Sequence, residues 1–174
     1  MDSYLERLRQ AIATATRGMT SEQLVRRPPA SNEEKWTAAE ILEHLYLTYT
    51  GTAKAFERCL QAGKPLGGAC TFKQRVAIAL VTELGYFPQG RKAPERSRPR
   101  GLPAEKVIAD IGPQIAVMDS VIAECEARYG SRIKVLDHPV LGPLTAQQWR
   151  KFHWLHGRHH VKQISSLRNK MGMN

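Results

Sequence analysis

The sequence predicts an all-α protein, and three observations carry that prediction. Apolar residues recur at helical spacing over several long segments of the 174-residue chain. Two capping-box signatures, Thr37-Ala38-Ala39-Glu40 and Thr145-Ala146-Gln147-Gln148, mark places where a helix begins. No stretch shows sustained two-residue alternation bounded by turn residues, so strands are not expected.

Three helices are predicted in the first half of the chain. Apolar residues at helical spacing cover residues 2–17. A short capped turn follows at 20–23. The capping box at 37–40 starts the second long helix, which runs to about Ala62. Residues 72–85 form a further apolar helix, which a glycine and a proline close.

Two more long helices are predicted in the second half. The first starts at Pro103, because proline is favoured at the first helical position, and runs to about Arg128. Gly112-Pro113 lies inside it, at a point where a proline can kink or divide a helix. After a loop over 137–144, the last helix runs from the second capping box to about Asn169.

The net charge of +10 raises the question of nucleic-acid binding. Part of that charge lies in residues 88–103, a stretch with five Arg or Lys and four Pro that we call the basic connection. It contains no aromatic residue to stack on a base, which argues against a single-strand binder. Two interpretations stay open: a solvated, extended connection, or an anion-attracting arm beside a site. No specific nucleic-acid partner is expected.

Length and cysteine content predict a single cytoplasmic domain over residues 1–174. Cys59, Cys70 and Cys125 are odd in number and lack close-pair spacing, so a disulfide framework is not expected. No apolar run is long enough to cross a membrane, and the first residues lack a signal-peptide pattern. We therefore expect no membrane partner and a reducing compartment.

Three of the six histidines lie within residues 156–160. On a helix, His156 and His160 are i and i+4, so both project from one face with Cβ atoms roughly 6 Å apart. At this spacing two imidazoles can share one metal ion, with zinc, nickel, copper and iron all suited to the ligand. A third ligand has to come from elsewhere, and the sequence offers His44. His159, at i+3 from His156, is a rival ligand.

The last helix carries an unusual number of polar residues on its core-directed face. A lone inward histidine is more often structural, but each buried polar group needs a partner, and three histidines in one turn favour a site. The solvent face is predicted to hold Arg150, Lys151, Arg158, Lys162 and Ser165. The core-directed face is predicted to hold Trp149, Phe152, His153, His156, His159, His160, Gln163, Ile164 and Leu167.

The helix that carries His44 has small or hydroxylated residues one and two turns further on, at Thr48, Gly51 and Thr52. They leave room above a metal for water or substrate, or alternatively allow close helix packing. Glu40 could accept the second ring N–H of His44, although its role in the capping box competes with that.

Two segments of the chain resemble the DinB/YfiT-like superfamily of metal-dependent four-helix proteins. They are Trp36 to Leu45 (WTAAEILEHL) and His156 to Ile164 (HGRHHVKQI). His138 to Trp149 (HPVLGPLTAQQW) is similar to a subset of that superfamily whose activity is unassigned. The resemblance covers nearly the whole chain, and it leaves the role of His138 open.

The resemblance implies a four-helix bundle with a long crossover after the second bundle helix. The helix at 72–85 and the basic connection are then elaborations of that crossover. It also implies a divalent transition metal, zinc or nickel above others, held by His44, His156 and His160.

The resemblance further implies a metal-dependent enzyme acting on a small molecule. Thiol-dependent transferase chemistry with a low-molecular-weight thiol is favoured. Thr48, His159 and Gln163 are the candidate contacts to that cofactor. The alternatives are a metal-dependent hydrolase, for which Glu40 and Glu43 are the obvious acid–base candidates, and a non-enzymatic, stress-related metal-binding or interaction protein.

A homodimer is also predicted. Trp154 and Val161 lie on the helix face away from the histidines, with Arg158 between them. An exposed tryptophan and valine at i,i+7 call for a cover, which is either a second subunit, as in dimeric relatives, or the chain's own helix at 72–85.

Overall fold

The computed structural model describes residues 1–27, 35–85, 93–170 and 172. Residues 28–32, the greater part of a loop that the sequence predicts over 26–32, and the first part of the basic connection, 88–92, lie outside the described residues. Within the described ranges the protein consists of α-helices, one short 3₁₀ turn at Glu95–Ser97 and a small antiparallel hairpin. The elements are α1 (Ser3–Thr16), α2 (Ser21–Val25), α3 (Ala38–Gln61), α4 (Phe72–Thr82), α5 (Ala104–Tyr129), β1 (Leu136–His138), β2 (Gly142–Leu144) and α6 (Ala146–Lys170).

The four long helices α1, α3, α5 and α6 form the predicted bundle. Helix α3 packs mainly on α5, and α1 mainly on α6, while α3 and α6 also touch each other. Apolar residues from all four line one continuous core. The long connection from α3 to α5 carries α4, which packs on α6. The all-α fold with a crossover and an extra helix is confirmed.

The helix starts follow from local hydrogen bonds that the sequence already showed. At α3, Thr37 and Glu40 exchange side-chain and backbone bonds in a complete capping box. At α6, the Gln148 amide N–H bonds to Thr145 Oγ1 and the Thr145 amide N–H bonds to Gln148 Oε1. These caps fix the start of the two helices that carry the histidines, and hence which residues share a face.

One local feature differs from the sequence prediction, and another concerns a point that the sequence left open. Residues 137–144 were expected as a loop, but Leu136–His138 pairs with Gly142–Leu144 in a hairpin. Strands of three residues are too short to show alternation. Helix α5 runs through Pro113 without dividing, with Ile111 and Ile115 buried on either side of it. Helix α5 packs along α3, and such tertiary packing can offset the hydrogen bond that a proline inside a helix does not donate.

The prediction that Arg150 lies on the solvent face of α6 is wrong. Arg150 is 7% exposed, and its guanidinium bonds to Asp119 and Glu126 of α5. A buried arginine is tolerated because these two carboxylates neutralise it. Periodicity on one helix cannot reveal acidic partners on another.

Trp154 and Val161 are half-buried and line a groove between α1 and α6. Arg158 lies over the Trp154 ring, 5.8 Å from its centroid. That the protein forms a homodimer through this surface stays a prediction. Among the described helices, none combines the length and the apolar character that a membrane crossing requires.

Candidate metal centre

Three histidines from two helices meet between α3 and α6. His156 Nε2 lies 3.4 Å from His44 Nε2 and 3.1 Å from His160 Nε2. One potential ligand atom from each ring lies within 4.8 Å of the others. The structure thus brings together the three side chains that the sequence analysis chose as ligands.

The remaining nitrogens of two rings are held by hydrogen bonds that set the tautomer. His44 Nδ1–H donates to the Ser97 carbonyl at 2.7 Å, and His160 Nδ1–H donates to Gln163 Oε1 at 2.7 Å. With the proton on Nδ1, the lone pair of each ring lies on Nε2, which faces the other rings. This is the arrangement in which neutral imidazoles bind a metal.

The spacing of the nitrogens fits a small divalent ion. Two nitrogens bound to zinc at tetrahedral angles are about 3.3 Å apart, since each Zn–N bond is about 2.0–2.1 Å. The observed separations of 3.1 and 3.4 Å bracket that value. A zinc ion held by these three residues would keep one coordination position for another molecule, as catalytic rather than structural zinc sites do.

Electrostatics keeps these rings neutral. Burial lowers the pKa of His44 below its usual value, and lowers that of His160 to about 3 with a further contribution from His44. The pKa of His156 is well below the usual range because of burial and then of its neighbours His160 and His44. Neutral rings compete for a metal without first losing a proton.

Aromatic rings flank the cluster. The Trp36 ring contacts His44 with centroids 5.0 Å apart, and the Phe152 ring stacks on His156 at 5.4 Å and 9°. The position of Trp36 was not foreseen, because it precedes α3 and only the fold turns it toward His44. These rings restrict the motion of the imidazoles.

The three predicted cofactor contacts lie close to the cluster. Thr48 donates its hydroxyl to the His44 carbonyl, 2.8 Å away in its own helix. Gln163 bonds to His160 through Oε1 and contacts His159 Nε2 through Nε2 at 3.3 Å. His159 thus belongs to a chain of bonds behind His160. A role in holding a cofactor stays a prediction for all three.

The small residues beyond His44 differ in their surroundings. Gly51 is exposed, and a methyl group there would meet nothing within 4 Å, so this glycine does not serve close helix packing. Gly157 serves close helix packing, because a Cβ at that position would lie 2.2 Å from Leu8 and 3.0 Å from Tyr49 Oη. The glycine within the histidine run therefore lets α1 and α3 approach α6.

The two acidic residues considered near His44 are engaged elsewhere. Glu40 accepts the Thr37 amide N–H at 2.6 Å and pairs with Arg27. Of the two roles considered for Glu40, the structure shows the helix cap. The Ser97 carbonyl, and not Glu40, accepts the Nδ1–H of His44. Glu43 is 2% exposed and accepts three backbone N–H groups of the basic connection, an interaction the sequence gave no sign of.

His138 and His153 form a second group beside the cluster. His138 Nδ1 accepts the amide N–H groups of Val140 and Leu141 at 3.2 Å, which ties the hairpin turn together. Burial, with a smaller contribution from Arg96, lowers the pKa of His138 to about 4. His153 is fully buried, and burial lowers its pKa to about 3. His138, whose role the sequence left open, thus contributes two hydrogen bonds to the hairpin turn.

Comparison with known proteins places this chain in a family. The model of the DinB superfamily matches residues 4–164, so the chain belongs to the DinB superfamily. It is also similar to the uncharacterized protein YuaE of Bacillus subtilis (strain 168), with 24% identity over 168 residues and 89% of each chain covered. No solved structure matches the chain. Family membership agrees with the helical fold and with a possible metal site, and leaves the reaction open.

Proposed function

We propose that the protein is a metal-dependent enzyme that joins a low-molecular-weight thiol to a small electrophile. The observation that carries this proposal is the convergence of three Nε2 atoms, two of them with their second ring nitrogen already bonded. His44, His156 and His160 would hold a divalent transition metal, with zinc or nickel favoured. Bound there, the metal supplies a Lewis acid that favours the thiolate over the thiol at neutral pH.

The reaction itself is a displacement. The thiol sulfur forms a bond to an electrophilic carbon, the leaving group departs with its bonding electron pair, and the thiol proton passes to solvent. The chain's residues bind and orient the reactants. Arg96, close enough to His138 to affect its pKa, and the exposed Arg100 provide positive charge for an anionic thiol.

Thiol transfer is favoured over hydrolysis by the state of the nearby carboxylates. A hydrolase needs a general base beside the reacting water. The oxygens of Glu40 bond to Thr37 and Arg27, and those of Glu43 bond to backbone N–H groups. Thiol transfer makes no such demand, because the nucleophile is the thiolate itself.

A thiol-binding experiment tests the proposal. The protein is loaded with Co²⁺ as a spectroscopic substitute, and small thiols or imidazole are added at millimolar concentration. The d–d absorption should shift and intensify, and a thiol-conjugation screen with a generic electrophile should show metal-dependent turnover. The same preparation of His160→Ala is the control, and it should show neither response.

An unchanged spectrum at millimolar thiol would indicate a closed, structural site and would overturn the enzyme proposal. Binding of thiol without turnover across a broad electrophile screen would support the non-enzymatic interpretation instead. Metal analysis of freshly purified protein identifies the ion to use in these assays.

A further inference from the structure

The described part of the basic connection is tied to α3 at two adjacent residues. Glu43 and His44 are neighbours in the chain, and both bond to backbone atoms of residues 97–102. One of them is a candidate metal ligand. The same turn of α3 therefore both binds the basic segment and carries a candidate metal ligand.

The Glu43 carboxylate is the stronger of the two ties. Its oxygens accept the amide N–H groups of Arg100 at 2.7 Å, Gly101 at 3.0 Å and Leu102 at 3.1 Å. Glu43 is 2% exposed, and a carboxylate removed from water is stable only when its acceptors are satisfied. Glu43 and the segment consequently hold each other in place.

The second tie reaches the metal site directly. The Ser97 carbonyl accepts the Nδ1–H of His44 at 2.7 Å, and Ser97 is itself buried. This bond keeps the His44 proton on Nδ1 and the lone pair on Nε2, toward His156. If residues 97–102 leave α3, His44 loses the group that fixes its tautomer and its ring orientation.

We propose that Glu43 is a positioning residue that couples the docking of the basic connection to metal affinity at His44. This inference rests on the proposed metal site. Since coupling is reciprocal, a bound metal also stabilises the docked segment. A ligand that engages the segment's arginines can then change the occupancy of the metal site from outside it.

Loss of an outer partner of a metal-binding histidine lowers metal affinity by about 10–100-fold. Glu43→Gln keeps the shape of the side chain but replaces an acceptor oxygen with an NH₂ group that faces backbone N–H donors. We expect Zn²⁺ affinity to fall by about 10-fold or more in this variant, measured by chelator competition.

A second variant acts on the segment without touching the core of α3. Gly101 has φ +87°, a conformation that L side chains rarely adopt, and a Cβ there would meet nothing within 4 Å. Gly101→Ala therefore strains the segment while leaving the bundle intact. It should also lower Zn²⁺ affinity, by a smaller factor than Glu43→Gln does.

Glu40→Gln is the matched control, because Glu40 caps the same helix three residues earlier and its oxygens bond outside residues 97–102. It should bind Zn²⁺ as the wild type does. Limited trypsin digestion supplies the second readout, with cleavage after Arg96 and Arg100 followed by mass spectrometry. Zn²⁺ should slow these cuts in the wild type and in Glu40→Gln, and much less in Glu43→Gln.

A folded Glu43→Gln protein with wild-type Zn²⁺ affinity would overturn the coupling while leaving the proposed function standing. So would equal cleavage of the wild type after Arg96 and Arg100 with and without bound Zn²⁺. A wild-type protein that binds no Zn²⁺, Ni²⁺ or Co²⁺ would instead overturn the proposed function, and the coupling with it.

Discussion

Two groups of histidines lie side by side in this protein, and they differ in what their ring nitrogens meet. Among the candidate metal ligands, His44 and His160 each donate Nδ1–H to a fixed acceptor and direct Nε2 toward His156. In the second group, His138 accepts two backbone N–H groups. Neither nitrogen of His153 has a hydrogen-bond partner among the residues that the structure describes.

His153 is held by packing instead. Its ring stacks on Trp149 with centroids 5.7 Å apart and meets Tyr49 edge-on at 5.5 Å. The same helix face that carries His156 and His160 therefore carries a histidine that serves as a core ring. Histidines on one helix face therefore differ in their surroundings: His160 has a fixed acceptor for its Nδ1–H, as metal-binding histidines usually have, and His153 has none among the described residues.

The largest expected difference in metal affinity is between two variants, one with a candidate ligand replaced and one with a histidine of the second group replaced. His160→Ala removes a direct ligand and should reduce metal affinity by more than about 100-fold, beyond the loss for an outer partner. His153→Phe keeps a ring in the core and should leave the stoichiometry at one metal per chain. Chelator competition and metal analysis after dialysis measure both variants.

Full stoichiometric binding by His160→Ala at micromolar metal would remove His160 from the ligand set. In that case His159 becomes the rival to test, since it lies at i+3 from His156. Loss of the metal in folded His153→Phe would break the distinction between the two groups.

Loss of the hydrogen bond between His160 Nδ1–H and Gln163 should have a smaller effect on metal affinity. Gln163→Leu removes the acceptor of His160 Nδ1–H and should weaken metal binding by about 10–100-fold without abolishing it. His159→Ala removes only the contact with the far end of Gln163, so its effect should be the smaller of the two. Equal losses in both variants would indicate that His159 contacts the metal itself.

Much of the fold was predictable because its signals are local. Helical spacing and capping boxes lie within a few residues of each other, and α3 and α6 begin where those boxes indicate. The i,i+4 pair His156 and His160 is also a local signal, the sequence offered His44 as the third ligand, and the resemblance implied the same three residues. Together these place the candidate site.

What the sequence did not show depends on partners far apart in the chain. The Ser97 carbonyl lies 53 residues from His44, and a backbone acceptor leaves no trace in residue type. The burial of Arg150 depends on carboxylates 31 and 24 residues away on α5. Such contacts arise only when helices pack, so periodicity along one helix cannot report them.

The smallest expected effect concerns the part of the protein's acid stability that depends on His153. Burial holds the pKa of His153 at about 3, below the value of about 6.5 for an unfolded histidine. As the pH falls below about 6.5, the unfolded state takes up a proton that folded His153 refuses, so the protein loses stability. One pH unit below that value, at about pH 5.5, the loss from this one residue is about 1.4 kcal/mol.

His153→Phe removes this contribution, so its free energy of unfolding should fall less steeply than that of the wild type between pH 7 and pH 5.5. Urea titrations of the metal-free proteins at several pH values measure the slope, and His153→Leu serves as a second variant if phenylalanine overfills the site. The comparison uses the change with pH rather than the stability at one pH, because packing differences shift all points of a variant together. Parallel curves for wild type and both variants would mean that His153 titrates alike in the folded and unfolded states, contrary to its burial beside Trp149 and Tyr49.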